Sequence, residues 1–196
     1  MSEAPLPDWY DDLDGFETAC WRMMVRGAAD RRSGFHTPTV ASVGDDGAPN
    51  ARVVVLRGCD EAGRSLRFHT DARAAKIGEL HGRPACVVFY DKGQKLQVRA
   101  YGGAIVHAAE PDGIGTIAWN ATRPFSRACY RTIPAPGSAI PRGDAYDIPD
   151  ADDAERGRES FRAVTVAVDR IEALYLAATG HRRATFSDKR KSWLVP

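Results

Sequence analysis

Residues 51–107 read ARVVVLRGCDEAGRSLRFHTDARAAKIGELHGRPACVVFYDKGQKLQVRAYGGAIVH, and this stretch decides the fold. It opens on an unbroken apolar run, Val53-Val54-Val55-Leu56, bracketed by Arg52 and Arg57. Such a run predicts a strand covered on both faces. At roughly 3.4 Å per residue, the two arginines start about 17 Å apart along it. Two readings are open here. The arginines mark where a buried strand meets water, or they span an extended ligand with an anion at one end. A strand over 65–70 follows the turn-forming Asp60-Glu61-Ala62-Gly63. Next comes a short helix over 72–81, ending near Gly82 with Pro84 beyond it. A buried strand over 85–90, a turn at Asp91-Lys92-Gly93 and a long strand over 96–105 complete the stretch.

Outward from this stretch, a strand over 37–43 and the turn Gly44-Asp45-Asp46-Gly47 make a hairpin with 51–56. A helix is predicted over 13–31. Its Phe16, Cys20, Met23, Met24 and Gly27 recur at three- and four-residue steps and share a face. Asp11, Asp12 and Asp14 sit at its positive end. Downstream, 110–122 reads as a helix with Pro111 in its first turn. The Pro- and Gly-rich segment 133–155 reads as a long loop, a length that in a folded domain is functional or disordered. Strands follow over 161–171, continued by 174–178, and over 183–186. Short strands joined by turns, with a few helices attached, predict a mainly β fold with flanking helices, a barrel or a sandwich. One domain covering 1–196 accounts for the length.

Composition removes several function classes. The formal net charge is +1, without the basic excess of a protein that lives on nucleic acid or anionic lipid. No apolar run reaches bilayer length and no basic start precedes a hydrophobic segment, so neither a membrane span nor a signal peptide is expected. Cys20, Cys59, Cys86 and Cys129 form no Cys-x-x-Cys pair, which reads as reduced, cytoplasmic thiol usage. The scattered histidines His36, His69, His81, His107 and His181 give no metal-ligand spacing. No dinucleotide fingerprint, phosphate loop or serine-nucleophile elbow is present. Six acidic residues and no basic one lie between Ser2 and Cys20, while Arg182, Arg183, Lys189, Arg190 and Lys191 crowd the other end. The simpler expectation is two solvated ends; the sharper one pairs the acidic arm with a basic surface.

Two further segments carry candidate chemistry. Thr70 or Asp71 is placed to cap the 72–81 helix, and Arg73 and Lys76, three residues apart, share a face at its start. Two cations beside a positive helix end gain nothing there without an anion, so a phosphate and a plain solvated helix weigh equally. On the 96–105 strand, alternation puts Gln97, Arg99 and Tyr101 on one face, and Leu96, Val98 and Ala100 on the other. The Gln97 amide donates and accepts, as the edge of a heterocycle requires.

Taken in order, these segments resemble the pyridoxamine 5′-phosphate oxidase-like flavoproteins. The likeness lies in the Arg52–Arg57 strand, Phe68-His69-Thr70, the Lys76 helix, Arg83-Pro84 through Phe89-Tyr90, and Gln97-Val98-Arg99. It runs on more weakly through Trp119, Arg123-Pro124 and Ser126-Arg127 to His181-Arg182-Arg183 and the 193–196 tail. The resemblance implies an FMN-binding split β-barrel that works as a homodimer with FMN at the interface. It implies that Arg52 and Lys76 hold the FMN phosphate and that the main chain of Val53, Val54, Val55 and Leu56 runs beside the flavin. It also implies that His69, Thr70 and Gln97 touch the cofactor. Arg57 replaces a substrate-contacting lysine, and Arg127 and Arg182 join it as expected contacts to a small anionic substrate. The family's arginine before the phosphate lysine is Ala75 here, with Arg73 as its expected substitute. Arg182 keeps the first member of the oxidase's Arg-x-His-x-Arg tail motif, whereas Ala184 and Phe186 replace the others, and Leu174 stands where the flavin pocket has a tryptophan. The likeness is therefore to a short branch of the family, in which Ser126, Arg127 and Tyr130 precede the Pro134–Gly137 loop. An FMN-dependent oxidoreductase and a non-catalytic flavin-binding or sensing module are both compatible with it.

Overall fold

The computed structural model describes residues 5–111, 113–148 and 155–196. Glu3 of the acidic arm, and residues 149–154 of the expected loop, lie outside the described residues. Helix α1 (Leu13–Ala29) begins at Asp12, whose carboxylate accepts from Asp14 N at 3.1 Å. It stops two residues short of the expected Arg31, where Asp30 leaves the helical region. Phe16, Cys20, Met23, Met24 and Gly27 are all buried, as the periodicity requires.

Nine strands follow among the described residues: β1 (Thr39–Val43), β2 (Pro49–Val53), β3 (Leu56–Asp60), β4 (Ser65–Asp71), β5 (Arg83–Asp91), β6 (Leu96–Ala108), β7 (Phe161–Tyr175), β8 (Arg182–Ser187) and β9 (Arg190–Leu194). Between them lie α2 (Lys76–Leu80), α3 (Ile114–Ala121) and α4 (Pro124–Arg127). All pairings are antiparallel, in the order β2-β1-β5-β6-β7-β4-β3, with β8 beside β7 and β9 beside β8. β2 and β3 stand at opposite ends of this path, yet only Val54 and Val55 separate them in the chain. Three backbone steps reach at most about 11 Å. The sheet must therefore curl until its two edges nearly meet, without pairing, and that is a split barrel. The expected continuous strand over 51–56 is corrected accordingly: it breaks at Val54-Val55, where the chain crosses the split.

The barrel interior collects Val40, Val87, Phe89, Val98, Ala100, Val164, Val166 and Ile171, all essentially solvent-free, with Phe16 and Met24 of α1 in the same cluster. Each of the fully buried Val, Ile, Phe and Met side chains contributes about 1.5–3 kcal/mol. A register shift at Tyr101/Gly102 lets the long β6 and β7 bend together. A Cβ at Gly102 would lie 1.8 Å from Ala167 O, so only glycine fits the bend.

The two charged ends are not independently solvated. Arg182 pairs with Asp11 at 2.6 Å, and Lys191 reaches Asp14 at 2.6 Å and Glu17 at 2.9 Å. The acidic arm thus closes on the basic tail of the same chain, reinforced by Trp9 stacked on Phe16 at 4.9 Å. The outer face of the sheet holds a second ionic knot, where Arg99, Arg170 and Arg183 surround the buried Glu172. Burial alone would raise the Glu172 pKa, but hydrogen bonds from Arg183 and Arg99 outweigh it and hold the carboxyl below its ordinary range. Glu172→Ala strands three guanidinium groups. Because they keep roughly a third of their surface wet, the expected loss is about 2 kcal/mol rather than the larger figure for a dry pair. A urea midpoint measured at fixed protein concentration checks this, and an unmoved midpoint contradicts it.

Candidate functional site

Arg52 lies on the inner side of β2, opposite Val40, at the end of the barrel that α2 covers. Its Nη1 donates to Ser42 Oγ at 2.5 Å and to Val40 O at 3.4 Å, and its Nη2 pairs with Glu79. Glu79 also accepts from Ser42 Oγ at 2.6 Å and Asn50 Nδ2 at 3.1 Å. The Ser42 hydroxyl, and after it Arg52, hold the Glu79 carboxyl below its ordinary pKa against the effect of burial. Lys76 opens α2, and its Nζ lies 3.2 Å from Thr70 Oγ1. Half-burial, then the charge of Arg52, push its pKa down. The two cations therefore stand within electrostatic reach of each other, with the Thr70 hydroxyl beside them. Crowding like charges in a half-buried place is unfavourable unless an anion joins them. Glu79 brings one negative charge, and the remaining donors suit a phosphate monoester. On this donor set, the residues present fit an FMN phosphate.

Several expectations change at this end of the barrel. The helix starts at Lys76, not 72, and Ala75 at its N-cap offers no side-chain hydrogen bond. With five residues α2 is too short for a helix-terminus anion site, so side chains carry the cluster. Asp71 is drawn away by Arg73, accepting from its backbone N at 2.8 Å and from its guanidinium at 2.9 and 2.7 Å. Arg73 also donates to Thr132 O at 2.8 Å and Ile133 O at 3.3 Å. It straps the start of the 133–148 segment to the β4–α2 turn rather than joining Arg52 and Lys76. The valine run is not covered on both faces. Val53 is 67% exposed, because nothing among the described residues packs over the outer face of the edge strand β2, while Leu56 is buried. Val54 N donates to Pro38 O at 2.9 Å, and Val55 lies half-buried in the crossing.

Gln97, Arg99 and Tyr101 share the outer face of β6, as alternation requires. Gln97 stands between Tyr90 of β5 and Leu174 of β7, and its amide makes no hydrogen bond among the described residues. His69 also faces outward, on β4, beneath the charges of Arg67 and Arg57. The other two expected substrate arginines are engaged elsewhere. Arg127 closes the C-terminal end of α3, donating to Thr122 O and Trp119 O at 3.0 Å each and lying 4.5 Å over the Trp119 ring. Arg182 holds Asp11 and covers Tyr10 at 3.9 Å. The structure thus gathers Arg52, Thr70 and Lys76 at one point and Arg57 with His69 at another. Sequence reasoning missed Ser42, Glu79 and Arg67. Polar Ser42 at an inward position after Val40, and the Lys76/Glu79 spacing on one helix face, were the available signals.

An antiparallel split barrel with a cationic cluster beside its open seam defines a class of cofactor-binding folds, and comparison places the chain within it. A sequence profile described as the pyridoxamine 5′-phosphate oxidase, FMN-binding domain matches residues 18–108. A pyridoxine/pyridoxamine 5′-phosphate oxidase of Hyphomonas neptunium is 34% identical over 139 residues, 64% of this chain and 62% of that protein. The pyridoxine/pyridoxamine 5′-phosphate oxidase 2 of Arabidopsis thaliana is 31% identical over 134 residues, covering 63% and 67%. Among solved structures, a pyridoxamine 5′-phosphate oxidase-related, FMN-binding protein from Nostoc punctiforme superposes with a TM-score of 0.76 at 19% identity, covering 98% of this chain and all of that one. PhzG from Burkholderia lata, solved with tetrahydrophenazine-1-carboxylic acid, gives 0.67 at 16% identity over the whole of both chains. At those identities the structural likeness speaks to the fold. The chain belongs to the pyridoxamine 5′-phosphate oxidase FMN-binding family. No helix among the described residues is long and apolar enough to cross a membrane.

Proposed function

We propose that the protein binds FMN at the split of the barrel, as a homodimer whose chains each act as one domain over 1–196, and serves as an FMN-dependent oxidoreductase for a small anionic substrate. The observation that carries this reading is the convergence of Arg52, Thr70 and Lys76. In this arrangement Arg52 and Lys76 neutralise the phosphate, Thr70 donates to it, and Glu79 fixes the guanidinium fork of Arg52. The main chain from Val53 to Leu56 runs beside the ring, and the unpaired Gln97 amide meets its edge. Bound FMN would supply an acceptor for a hydride from a C–N or C–H bond or from a reduced nicotinamide. Arg57 holds the anion of the substrate, and no side-chain general base is required.

The dimer reading draws on one sheet face. Cross-strand register aligns Val53, Thr39, Val88 and Arg99 in one row, and Ala51, Ala41, Cys86 and Tyr101 in the next. Val53, Val43 and Tyr90 on this face are 67%, 55% and 49% exposed, an apolar surface suited to a second copy.

One observation favours the second reading, a flavin-binding or sensing module without catalysis. Arg127 and Arg182, both expected at the substrate, are engaged by helix carbonyls and by Asp11. Anaerobic mixing of the FMN-loaded protein with pyridoxamine phosphate, and separately with NADPH or NADH, separates the two. Loss of the oxidised flavin absorbance is the expected result for the enzyme, and persistent colour with all of them favours the module.

A further inference from the structure

The outer face of β3 and β4 carries a second polar cluster that the cofactor reading leaves unexplained. Alternation along β4 sends Arg67 and His69 to the face opposite Phe68 and Thr70. There the His69 and Tyr130 rings both stand edge-on to Phe161, at 4.8 and 5.1 Å between centroids. Arg67 Nη2 donates to the backbone carbonyl of Arg57 at 3.4 Å, and the charges of both arginines reach the His69 ring. Neither has a carboxylate partner among the described residues. His69 Nε2 and Arg67 Nε are buried and lack a hydrogen-bond partner among the described residues. Native folds rarely strand such atoms, because each costs its full desolvation penalty. The Thr122 hydroxyl gives its proton to Ala118 O at 2.7 Å, so toward His69 Nδ1, 3.5 Å away, it can only accept. The proton of the neutral ring then sits on Nδ1, and Nε2 presents a lone pair. Burial first, then the charges of Arg67 and Arg57, push the imidazole pKa down to about 3, so that lone pair persists at neutral pH.

We infer that Arg57, Arg67 and His69 form the recognition end of the substrate site, taking a ligand that bears an oxyanion with a hydroxyl or amine donor beside it. The arginines hold the oxyanion, His69 Nε2 accepts from the neighbouring donor, and the half-buried Tyr130 ring, backed by the buried Phe161, meets the apolar part. The inference rests on the flavoprotein reading only in calling the ligand a substrate, and it makes His69 a specificity-determining residue through an acceptor rather than a charge.

Mandelate and phenylacetate differ by the one hydroxyl in question and serve as probes, with binding to the purified full-length protein read by calorimetry and by the His69 ring nitrogen signals. Mandelate is expected to bind about tenfold tighter and to move the Nε2 resonance, as one hydrogen bond to a buried acceptor allows. His69→Phe removes a stranded polar atom and keeps the shape, so it folds; it should abolish the preference while leaving phenylacetate binding intact. His69→Gln, which keeps an acceptor, should restore part of the preference. Arg67→Ala should weaken both ligands. The same comparison made on the protein before and after FMN is added separates failure of this inference from failure of the cofactor reading: the His69-dependent preference is expected in both, while FMN uptake is read independently by its absorbance. Equal affinities for the two acids, a preference that survives in His69→Phe, or no binding of either acid, would each overturn it.

Discussion

Replacing Arg52 and Lys76 together by alanine is expected to lower FMN affinity roughly 100- to 1,000-fold. A charge-assisted hydrogen bond to phosphate is worth about 1.5–3 kcal/mol, and two of them span at least two decades of affinity. Partial exposure of both cations trims the upper end. A second effect acts in the same direction. Glu79 is held by Arg52, Ser42 and Asn50, and loss of the guanidinium leaves its carboxylate facing the phosphate position without a cation. Glu79→Gln in the same background should recover part of the loss. FMN titration followed by flavin fluorescence measures both, with circular dichroism as the check on folding. Unchanged affinity in the double variant would remove the phosphate assignment.

The second large effect is expected from a residue that touches little within its own chain. Val53 is 67% exposed on the edge strand β2, so Val53→Asp should leave the folded chain intact. In a two-fold dimer the substitution appears twice, and each copy places an unpaired carboxylate against apolar surface, at about 2 kcal/mol or more per site. The dissociation constant of the proposed dimer then rises roughly 1,000-fold. Light scattering after size exclusion reads the mass directly. FMN should be lost together with the dimer, because the proposed cofactor site lies beside the same split. A Val53→Asp protein that remains dimeric would place the interface on another face.

The middle of the sequence announced most of this. The alternation of Leu96, Val98 and Ala100 against Gln97, Arg99 and Tyr101 is reproduced residue for residue, since period two along an extended strand has no competitor over that length. Elsewhere long-range structure overrode local pattern. Val53 to Leu56 reads as one buried strand, but the chain leaves β2 and enters β3 across the barrel seam, a topological fact that four apolar side chains do not encode. β7 reads as 161–171 continued by 174–178, whereas the strand runs unbroken from Phe161 to Tyr175 and absorbs the irregularity at Asp169 as a register shift against Gly102. β9 went unread because Arg190, Lys191 and Ser192 look like a solvated tail; pairing with β8 and ion pairs to Asp14 and Glu17 make it a strand. At the site, cation types and order along the chain were legible, whereas their partners were not. Glu79 for Arg52, Asp71 for Arg73 and Asp11 for Arg182 are set by tertiary contact. The resemblance grouped Arg57, Arg127 and Arg182 as one substrate set, and Asp11 and the α3 carbonyls engage two of them instead.

The central claim is that the Arg52–Lys76 cluster exists to hold FMN. Purifying the protein, recording its visible absorbance and identifying the released cofactor by mass tests it most directly. A yellow protein that releases FMN in amounts equimolar with the chain, or a colourless one that takes up added FMN to that level, is the predicted result. A colourless protein that takes up no FMN would contradict it.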